Sequence, residues 1–186
     1  MSRMTNRQRH DPSKSLVGFV LGDVHYAVAI HRVREIANPL NLVSLPKAPP
    51  AVCGVADYRG EVVPVIDLRI RFGLPAVPAT RRTKWIVVEV QARFIALVVD
   101  AVTEVFGTGG AELRPAPSLG AGDELRGIQG VTNHLGTLTF VLDTSRFGTL
   151  TEPLVAAGAI RPSSVPASLP PGASGTYPPG PKMVMP

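Results

Sequence analysis

Residues 54–72 constrain the fold of this chain more than any other stretch, because they combine short apolar runs with a polar turn. The apolar runs are 53–56 and 62–66, and residues 57–61 between them read Asp-Tyr-Arg-Gly-Glu. β-Branched runs on either side of a glycine-containing turn predict a β-hairpin. Pro64 lies inside the second run and has no amide hydrogen to donate, which predicts that this strand lies at a sheet edge or a bulge.

A capped helical turn is expected directly after this hairpin. Asp67 takes the N-cap position ahead of the amphipathic residues 68–72, and Gly73 and Pro75 end the turn. The same order of apolar hairpin, aspartate, short helical turn and Phe-Gly recurs at 127–148. Two hairpin-rich parts with similar ends indicate two small barrels packed together and not a single sandwich.

The remainder of the chain alternates between short apolar runs and turn residues, which is the pattern of an all-β protein. Near-continuous apolar runs at 85–90 and 93–99 predict strands that are buried on both faces. Residues 31–37 differ, because their apolar side chains would share one face of a short helix. The other predicted strands lie at 16–21, 24–30, 40–45, 100–106, 127–132 and 137–142.

The ends of the chain differ from its centre in composition. Residues 1–14 hold four basic residues and one acidic residue without apolar periodicity, which predicts a disordered basic arm. Nine of the 36 residues in 151–186 are proline, which predicts a disordered, partly polyproline-like tail. Residues 15–150 form the predicted folded domain, and the loop at 74–83 is the expected handover between its two barrels.

The charge distribution and the single cysteine bear on the function class. The formal net charge is +5, but residues 15–150 hold 13 basic and 12 acidic residues, so that much of the excess lies in the arm. A domain that binds phosphate backbones concentrates positive charge on itself, so nucleic acid is not expected as a partner. No run approaches the roughly 18 apolar residues of a membrane span, and no secretory signal is visible. Cys53 has no second cysteine to pair with, which suits a reducing cytosol.

No combination of residues in the sequence is typical of an enzyme or a metal site. His10 lies in the arm and His134 in a hairpin turn, while His25 and His31 flank a strand without further ligands at a metal-binding spacing. Cys53 has no neighbouring histidine in the sequence and is expected to be buried and inert. We therefore expect no catalytic residue, no metal and no cofactor, which favours a protein–protein adaptor.

The hairpin carries a resemblance to a known family. Gly-Val-x-x-x-Arg-Gly-x-Val-Val-Pro-Val-Ile-Asp-Leu-Arg, which begins at Gly54, closely resembles the signature of the CheW family of bacterial chemotaxis. The resemblance extends over about residues 16–147. Members of this family link chemoreceptors to the histidine kinase CheA. The resemblance implies two packed five-stranded SH3-like β-barrels and a non-enzymatic adaptor in the cytoplasm, recruited to membrane-associated chemoreceptor arrays.

The resemblance also implies which residues engage partners. In the family, receptor engagement is associated with a groove between the barrels that takes the tip of the receptor's helical hairpin. The matching positions in this chain are Val33, Glu35, Gly54, Arg59, Val102 and Val105. A barrel of the CheA regulatory domain is expected to pair with strand edges of the first barrel. The candidates for that contact are Leu40, Leu42, Val62 and Val63.

Simpler structural roles stay open for several of these positions. The valines can be plain core packing, and Gly54 can be needed for backbone geometry alone. An arginine between two acidic residues is often a solvated turn residue in a local ion pair. Asp57 and Tyr58 stand where the family commonly has Asn-Leu, so that Asp57 can compete for Arg59, and Trp85 occupies a usually aliphatic place.

The expected function is an adaptor that binds a chemoreceptor cytoplasmic tip and the CheA regulatory domain, without nucleic acid and without direct membrane insertion. Self-association in arrays stays open. Within the family, the alternative is an adaptor of a related pathway that controls gliding or type IV pili. From another class, the alternative is an SH3-like barrel module that binds nucleic acid through residues 1–14, and an unrecognised enzyme ranks third.

Overall fold

A computed structural model of the chain describes residues 14–107, 113–116, 126–156 and 158. The strands are β1 (Ser15–Leu21), β2 (Val24–Ala29), β3 (Val33–Ala37), β4 (Leu42–Val43), β5 (Val52–Tyr58), β6 (Glu61–Asp67), β7 (Lys84–Val90), β8 (Arg93–Val99), β9 (Ala101–Gly107), β10 (Ile128–His134) and β11 (Thr137–Leu142). The helices are α1 (Leu68–Arg71), α2 (Glu152–Ala156) and the 3-10 helices Ile30–Arg32 and Thr144–Leu150. No helix in the described ranges is long and apolar enough to cross a membrane. The arm predicted at 1–14 lies outside the described residues except for Lys14, and so does the predicted tail beyond Ala156 except for Gly158.

The strands form two sheets, which confirms the all-β class and the two-part architecture. The order in the five-stranded sheet is β10-β11-β2-β1-β9, and the order in the six-stranded sheet is β3-β7-β8-β6-β5-β4. Each sheet contains one parallel pair, β11 with β2 and β6 with β8, among antiparallel neighbours. The second sheet has six strands and not five because the two-residue β4 adds to the edge beside β5.

In each sheet, a parallel strand pair joins hairpins that are distant in the sequence. β11 pairs with β2, with Phe140 opposite Tyr26, and β6 pairs with β8, with Ile66 opposite Leu97. The C-terminal hairpin therefore completes the sheet that the N-terminal hairpin begins. The predicted handover at 74–83 is wrong, because this loop connects α1 to β7 inside the six-stranded sheet.

One apolar cluster lies between the two sheets and takes side chains from both. Its largest fully buried members include Phe19 of β1, Ile66 of β6, Ile86 of β7 and Phe147 of the last 3-10 helix. Two smaller clusters cover the opposite face of each sheet. The central cluster therefore sets how the two sheets sit against one another.

β7 is buried on both faces, as its near-continuous apolar run predicted. Trp85 and Val87 belong to the outer cluster of the six-stranded sheet, and Ile86 and Val88 belong to the central cluster. This alternation follows from the two-residue period of a strand. Trp85 is thus a core residue.

Two local predictions from periodicity hold only in part. Of the helical turns predicted at 31–37, the structure has only the 3-10 helix Ile30–Arg32, because Val33–Ala37 is β3 and pairs antiparallel with β7. A seven-residue segment carries only a weak helical preference, and tertiary pairing overrides it. The half-buried strand predicted at 40–45 is reduced to Leu42–Val43, and both residues are exposed.

β6 accommodates Pro64 although it is an interior strand, so the predicted edge position is wrong. Pro64 stands opposite Val55 of β5, whereas the parallel pairing with β8 begins only at Val65. The residue without an amide hydrogen thus lies just outside the segment that pairs with β8. A register shift does occur between β5 and β6, but it falls between Val52 and Gly54.

The predicted aspartate caps are confirmed at both ends of the repeat. The Oδ1 atom of Asp67 accepts hydrogen bonds from the backbone amides of Arg69 at 2.7 Å and Ile70 at 3.3 Å. The Oδ1 atom of Asp143 accepts one from the amide of Ser145 at 3.0 Å. Each aspartate therefore ends a strand and begins a helical turn.

Hydrogen bonds to Asp100 join the two sheets. The Oδ2 atom of Asp100 accepts from the Nη1 atom of Arg69 at 2.5 Å and from the backbone amide of Gly22 at 2.7 Å. Arg69 follows β6 of the six-stranded sheet, and Gly22 lies in the β1–β2 turn of the five-stranded sheet. Arg69 also donates from Nε to the carbonyl of Pro75 at 2.8 Å, which fixes its side chain.

The first residues of the predicted disordered tail are ordered, which corrects the boundary set at 151. Glu152–Ala156 forms α2, and the side chain of Leu154 belongs to the central apolar cluster. Thr151 is also buried, and its hydroxyl donates to the carbonyl of Gly148 at 2.8 Å. Leu154, about one helical turn beyond the last 3-10 helix, therefore anchors this segment in the core.

A chain that ends at Leu150 is expected to be less stable than one that ends at Gly158, because it loses the burial of Leu154. Full burial of a leucine side chain contributes about 1.5–3 kcal/mol to the free energy of unfolding. Urea denaturation of the two truncated chains measures the difference. Equal stability would show that α2 adds nothing to the core.

Candidate functional site

The two charged residues that the resemblance pointed to lie in contact. The Nη2 atom of Arg59 is 2.6 Å from the Oε2 atom of Glu35, and the two side chains are 69% and 35% exposed. Glu35 lies on β3, at one edge of the six-stranded sheet, and Arg59 lies in the turn between β5 and β6. The ion pair therefore links the edge strand β3 to the β5–β6 turn of the same sheet.

The turn that carries Arg59 is a two-residue turn with both residues in the left-handed region. The φ angles are +54° at Arg59 and +84° at Gly60, the signs that a type I′ hairpin turn requires. The Oδ1 atom of Asp57 accepts a hydrogen bond from the amide of Gly60 at 2.8 Å. Asp57 thus serves the turn, and the expected competition for Arg59 is not seen among the hydrogen bonds and ion pairs of the described residues.

Tyr58 is a third member of this site, and the sequence marked it only as a departure from the family pattern. Its hydroxyl donates to the Oε2 atom of Glu35 at 2.6 Å. The residue is only 5% exposed, and its ring packs edge-on against Phe94 with a centroid distance of 6.0 Å. The guanidinium carbon of Arg59 lies 5.5 Å from the ring centroid, close enough for a cation–π interaction.

The electrostatics of the site keep Glu35 ionised and Tyr58 neutral. The hydrogen bond from Tyr58 is the main cause that lowers the pKa of Glu35; burial opposes it, and Arg59 and Arg34 lower it further. Burial is the main cause that raises the pKa of Tyr58, and the neighbouring Glu35 carboxylate adds to it. At neutral pH the site therefore presents a carboxylate, a hydroxyl and a guanidinium.

The three valines implied by the resemblance differ in accessibility. Val33 of β3 and Val102 of β9 are partly buried against the central cluster. Val105 of β9 is 52% exposed. β3 and β9 are edge strands of different sheets, so the central cluster connects the two edges.

Gly54 has a backbone role that the geometry explains. Its φ angle is +149°, and a Cβ atom on it would lie 2.2 Å from the carbonyl oxygen of Val43. The residue sits at the register shift between β5 and β6, where the end of the adjacent strand β4 comes close to it. The need for glycine at position 54 on grounds of backbone geometry therefore has a physical basis.

The four candidates for the kinase contact do not form one accessible set. Leu40, Leu42 and Val62 are exposed, whereas Val63 is only 2% exposed and belongs to the outer cluster of its sheet. A partner can reach the first three side chains but not Val63. The strand period explains this, since Val62 and Val63 face opposite sides of β6.

Leu40 and Leu42 also line a cleft of about 260 Å³. Trp85 and Cys53 contribute to its wall. The thiol of Cys53 is partly buried, and burial raises its pKa. Across the described ranges, no group of three or more histidine, cysteine, aspartate or glutamate residues could hold a metal ion.

Comparison with known proteins relates this architecture to a family. The family model described as CheW-like domain matches residues 15–150. Chemotaxis protein CheW of Rhizobium meliloti is 34% identical over 130 residues, which cover 69% of this chain and 84% of that protein. Protein FrzA of Myxococcus xanthus is 29% identical over 119 residues, which cover 63% and 74% of the two chains.

A solved structure agrees with the fold. The crystal structure of the scaffolding protein TtCheW from Thermoanaerobacter tengcongensis superposes with a TM-score of 0.67 at 26% identity. The superposition covers 75% of this chain and 93% of that chain. The similarity therefore extends over nearly the whole chain of the relative.

Gly54→Ala is expected to displace β4 and to lower the stability of the fold, because the added methyl group would overlap the carbonyl of Val43. Overpacking of this kind costs typically about 1–3 kcal/mol. Thermal unfolding, together with hydrogen exchange at Leu42 and Val43, measures both effects. A variant of unchanged stability that had lost partner binding would instead make Gly54 a contact residue.

Proposed function

This chain belongs to the family of CheW-like domains, the adaptors of bacterial chemotaxis, and we propose that it couples chemoreceptors to the regulatory domain of the histidine kinase CheA. The observation that carries the proposal is the family match over residues 15–150. The contact between Glu35 and Arg59 supports it, because these residues match positions that the family resemblance associates with receptor engagement.

For the receptor we propose the surface formed by the edge strands β3 and β9 and the β5–β6 turn. Val105 supplies exposed apolar area, and Val33 and Val102 are partly buried against the central cluster. Glu35, two residues from Val33 on β3, forms an exposed charged pair with Arg59. Exposed pairs contribute little affinity, so they act mainly on orientation and partner choice.

For the kinase we propose the exposed side chains of β4 and the residues before it, together with that of Val62 on β6, two strands away in the same sheet. Leu40, Leu42 and Val62 are exposed apolar side chains there. β4 is also an edge strand, and an edge can pair with a strand of another protein. Val63 takes part only by supporting this surface from within.

Two separate surfaces suit an adaptor that works in an array. Each contact can be weak, on the order of micromolar, because binding to both partners at once adds avidity. This role needs no catalytic group, and we propose that the protein is not an enzyme and acts in the cytoplasm at receptor arrays.

Arg59→His is expected to weaken binding to a receptor cytoplasmic fragment by roughly threefold or more, because the ion pair with Glu35 then depends on a shorter, partly charged side chain. Binding to the CheA regulatory domain should stay unchanged. Both affinities are measured by binding the protein to an immobilised receptor fragment and to an immobilised kinase regulatory domain, each from the organism of this chain. Arg81→His, an exposed arginine in the 80–83 turn, is the matched control.

The outcomes of this experiment separate the alternatives. Equal loss of both affinities, or a large drop in melting temperature, would make Arg59 a structural residue. Binding to neither partner by a folded wild-type protein would remove the coupling function. A related pathway controlling gliding or type IV pili would show itself as selective binding to the receptor and kinase of that pathway.

The rival from another class predicts a different result. If residues 1–14 bound nucleic acid, affinity for duplex DNA would fall steeply with added salt and would vanish when the arm is deleted. We expect no such salt-dependent binding, because the folded domain carries almost balanced charge. A filter-binding titration at two salt concentrations, on the full chain and on the chain without the arm, measures this.

A further inference from the structure

One carboxylate oxygen of Glu35 receives two hydrogen bonds, and they come from very different side chains. The Tyr58 hydroxyl and the Nη2 atom of Arg59 both lie 2.6 Å from Oε2. Arg59 is long and mostly exposed, so that by itself it would hold Glu35 loosely. Tyr58 has only two side-chain torsions, and its ring is buried against Phe94.

The hydroxyl of Tyr58 is therefore the fixed point of the site. The ring cannot follow a moving carboxylate without leaving its contact with Phe94. Because Oε2 is bound to this fixed donor, Oε1 keeps one direction relative to the sheet edge. No described residue donates a hydrogen bond to Oε1, so it is available to a partner.

Arg59 is ordered by the same arrangement. Its Nη2 atom is committed to Glu35, and its guanidinium group lies near the Tyr58 ring, which leaves the Nε and Nη1 edge as a free donor edge among the described contacts. A partner that fits must place a hydrogen-bond donor against Oε1 of Glu35 and an acceptor, such as a carboxylate, against that edge.

We propose that Tyr58 is a positioning residue that sets which receptor tips this chain accepts, because it fixes the direction of the Glu35–Arg59 pair. The proposal rests on the receptor role of this pair under the proposed function. An apolar residue at position 58 would leave Glu35 free to rotate and to satisfy several partner geometries. A fixed pair binds the matching geometry with less ordering cost and penalises the others.

The test compares Tyr58→Phe with Tyr26→Phe. Both variants remove one hydroxyl from a buried tyrosine, but Tyr26 packs against Phe19, Phe72 and Phe140, away from Glu35. The first measurement uses the free full-length protein and follows the carboxyl carbon of Glu35 by NMR as pH is lowered. Because the Tyr58 hydrogen bond is the main cause that lowers the pKa of Glu35, Tyr58→Phe should raise that pKa towards its ordinary value. Tyr26→Phe should leave it unchanged.

The second measurement is selectivity between two probes. They are receptor cytoplasmic fragments that include the helical hairpin tip, one from the organism of this chain and one from Rhizobium meliloti. We expect Tyr58→Phe to weaken binding to the first fragment on the order of threefold to tenfold, with little change for the second. The ratio of the two affinities should therefore fall, and Tyr26→Phe should preserve it.

Two results would overturn the proposal. An unchanged Glu35 titration in Tyr58→Phe would show that the hydroxyl does not hold the carboxylate. A shifted titration with an unchanged affinity ratio would show that the orientation of Glu35 does not affect partner choice. Failure of the underlying function would look different, because the wild-type protein would then bind neither fragment while the titration still responded to Tyr58→Phe.

Discussion

The apolar cluster between the two sheets holds the rest of the structure in place. It takes Phe19 from the five-stranded sheet and Ile66 and Ile86 from the six-stranded sheet, so neither sheet buries its inner face without the other. Because the strands also bury their outer faces, their side chains have little freedom to shift. The relative position of the edge strands β3 and β9 follows from this packing. The candidate receptor surface is therefore positioned by buried core residues.

Polar contacts then fix what apolar packing leaves undetermined. Burial of area has no direction, whereas the contacts of Asp100 with Arg69 and Gly22 demand one relative placement of the two sheets. The caps at Asp67 and Asp143 act in the same way at the end of each closing hairpin. The same local structure therefore occurs twice in the fold: a strand ends at an aspartate, and this aspartate caps the helical turn that follows.

The sequence predicted what depends on neighbouring residues and failed where distant strands meet. Hairpins, caps and two-sided burial are local patterns, and they were found. The parallel pairing of β11 with β2 joins segments more than 100 residues apart, and no local period encodes it. For the same reason the apolar pattern of 31–37 predicts a helix over its whole length, whereas pairing with β7 makes residues 33–37 a strand.

The candidate site shows the same limit at the scale of single residues. Glu35 and Arg59 came from resemblance alone, because residues 24 positions apart give no local signal of contact. The sequence shows Tyr58 only as a departure from the family pattern. Its contacts with Glu35, Phe94 and Arg59 become visible only in the fold. Gly54 could be matched to the family, but only the fold shows that a Cβ atom there would overlap the carbonyl of Val43.

The placement of the charged pair explains how an adaptor can discriminate without binding tightly. A pair this exposed adds little to affinity, since water competes for both groups. Its orientation can still reject a partner. If the partner places its hydrogen-bond donor and acceptor in the opposite order, each group loses its hydration without gaining a hydrogen bond. Such rejection works only if the pair cannot reorient, and a hydroxyl on a buried ring supplies that restraint. Selectivity at this surface therefore depends on a residue that is almost entirely hidden from the partner it selects.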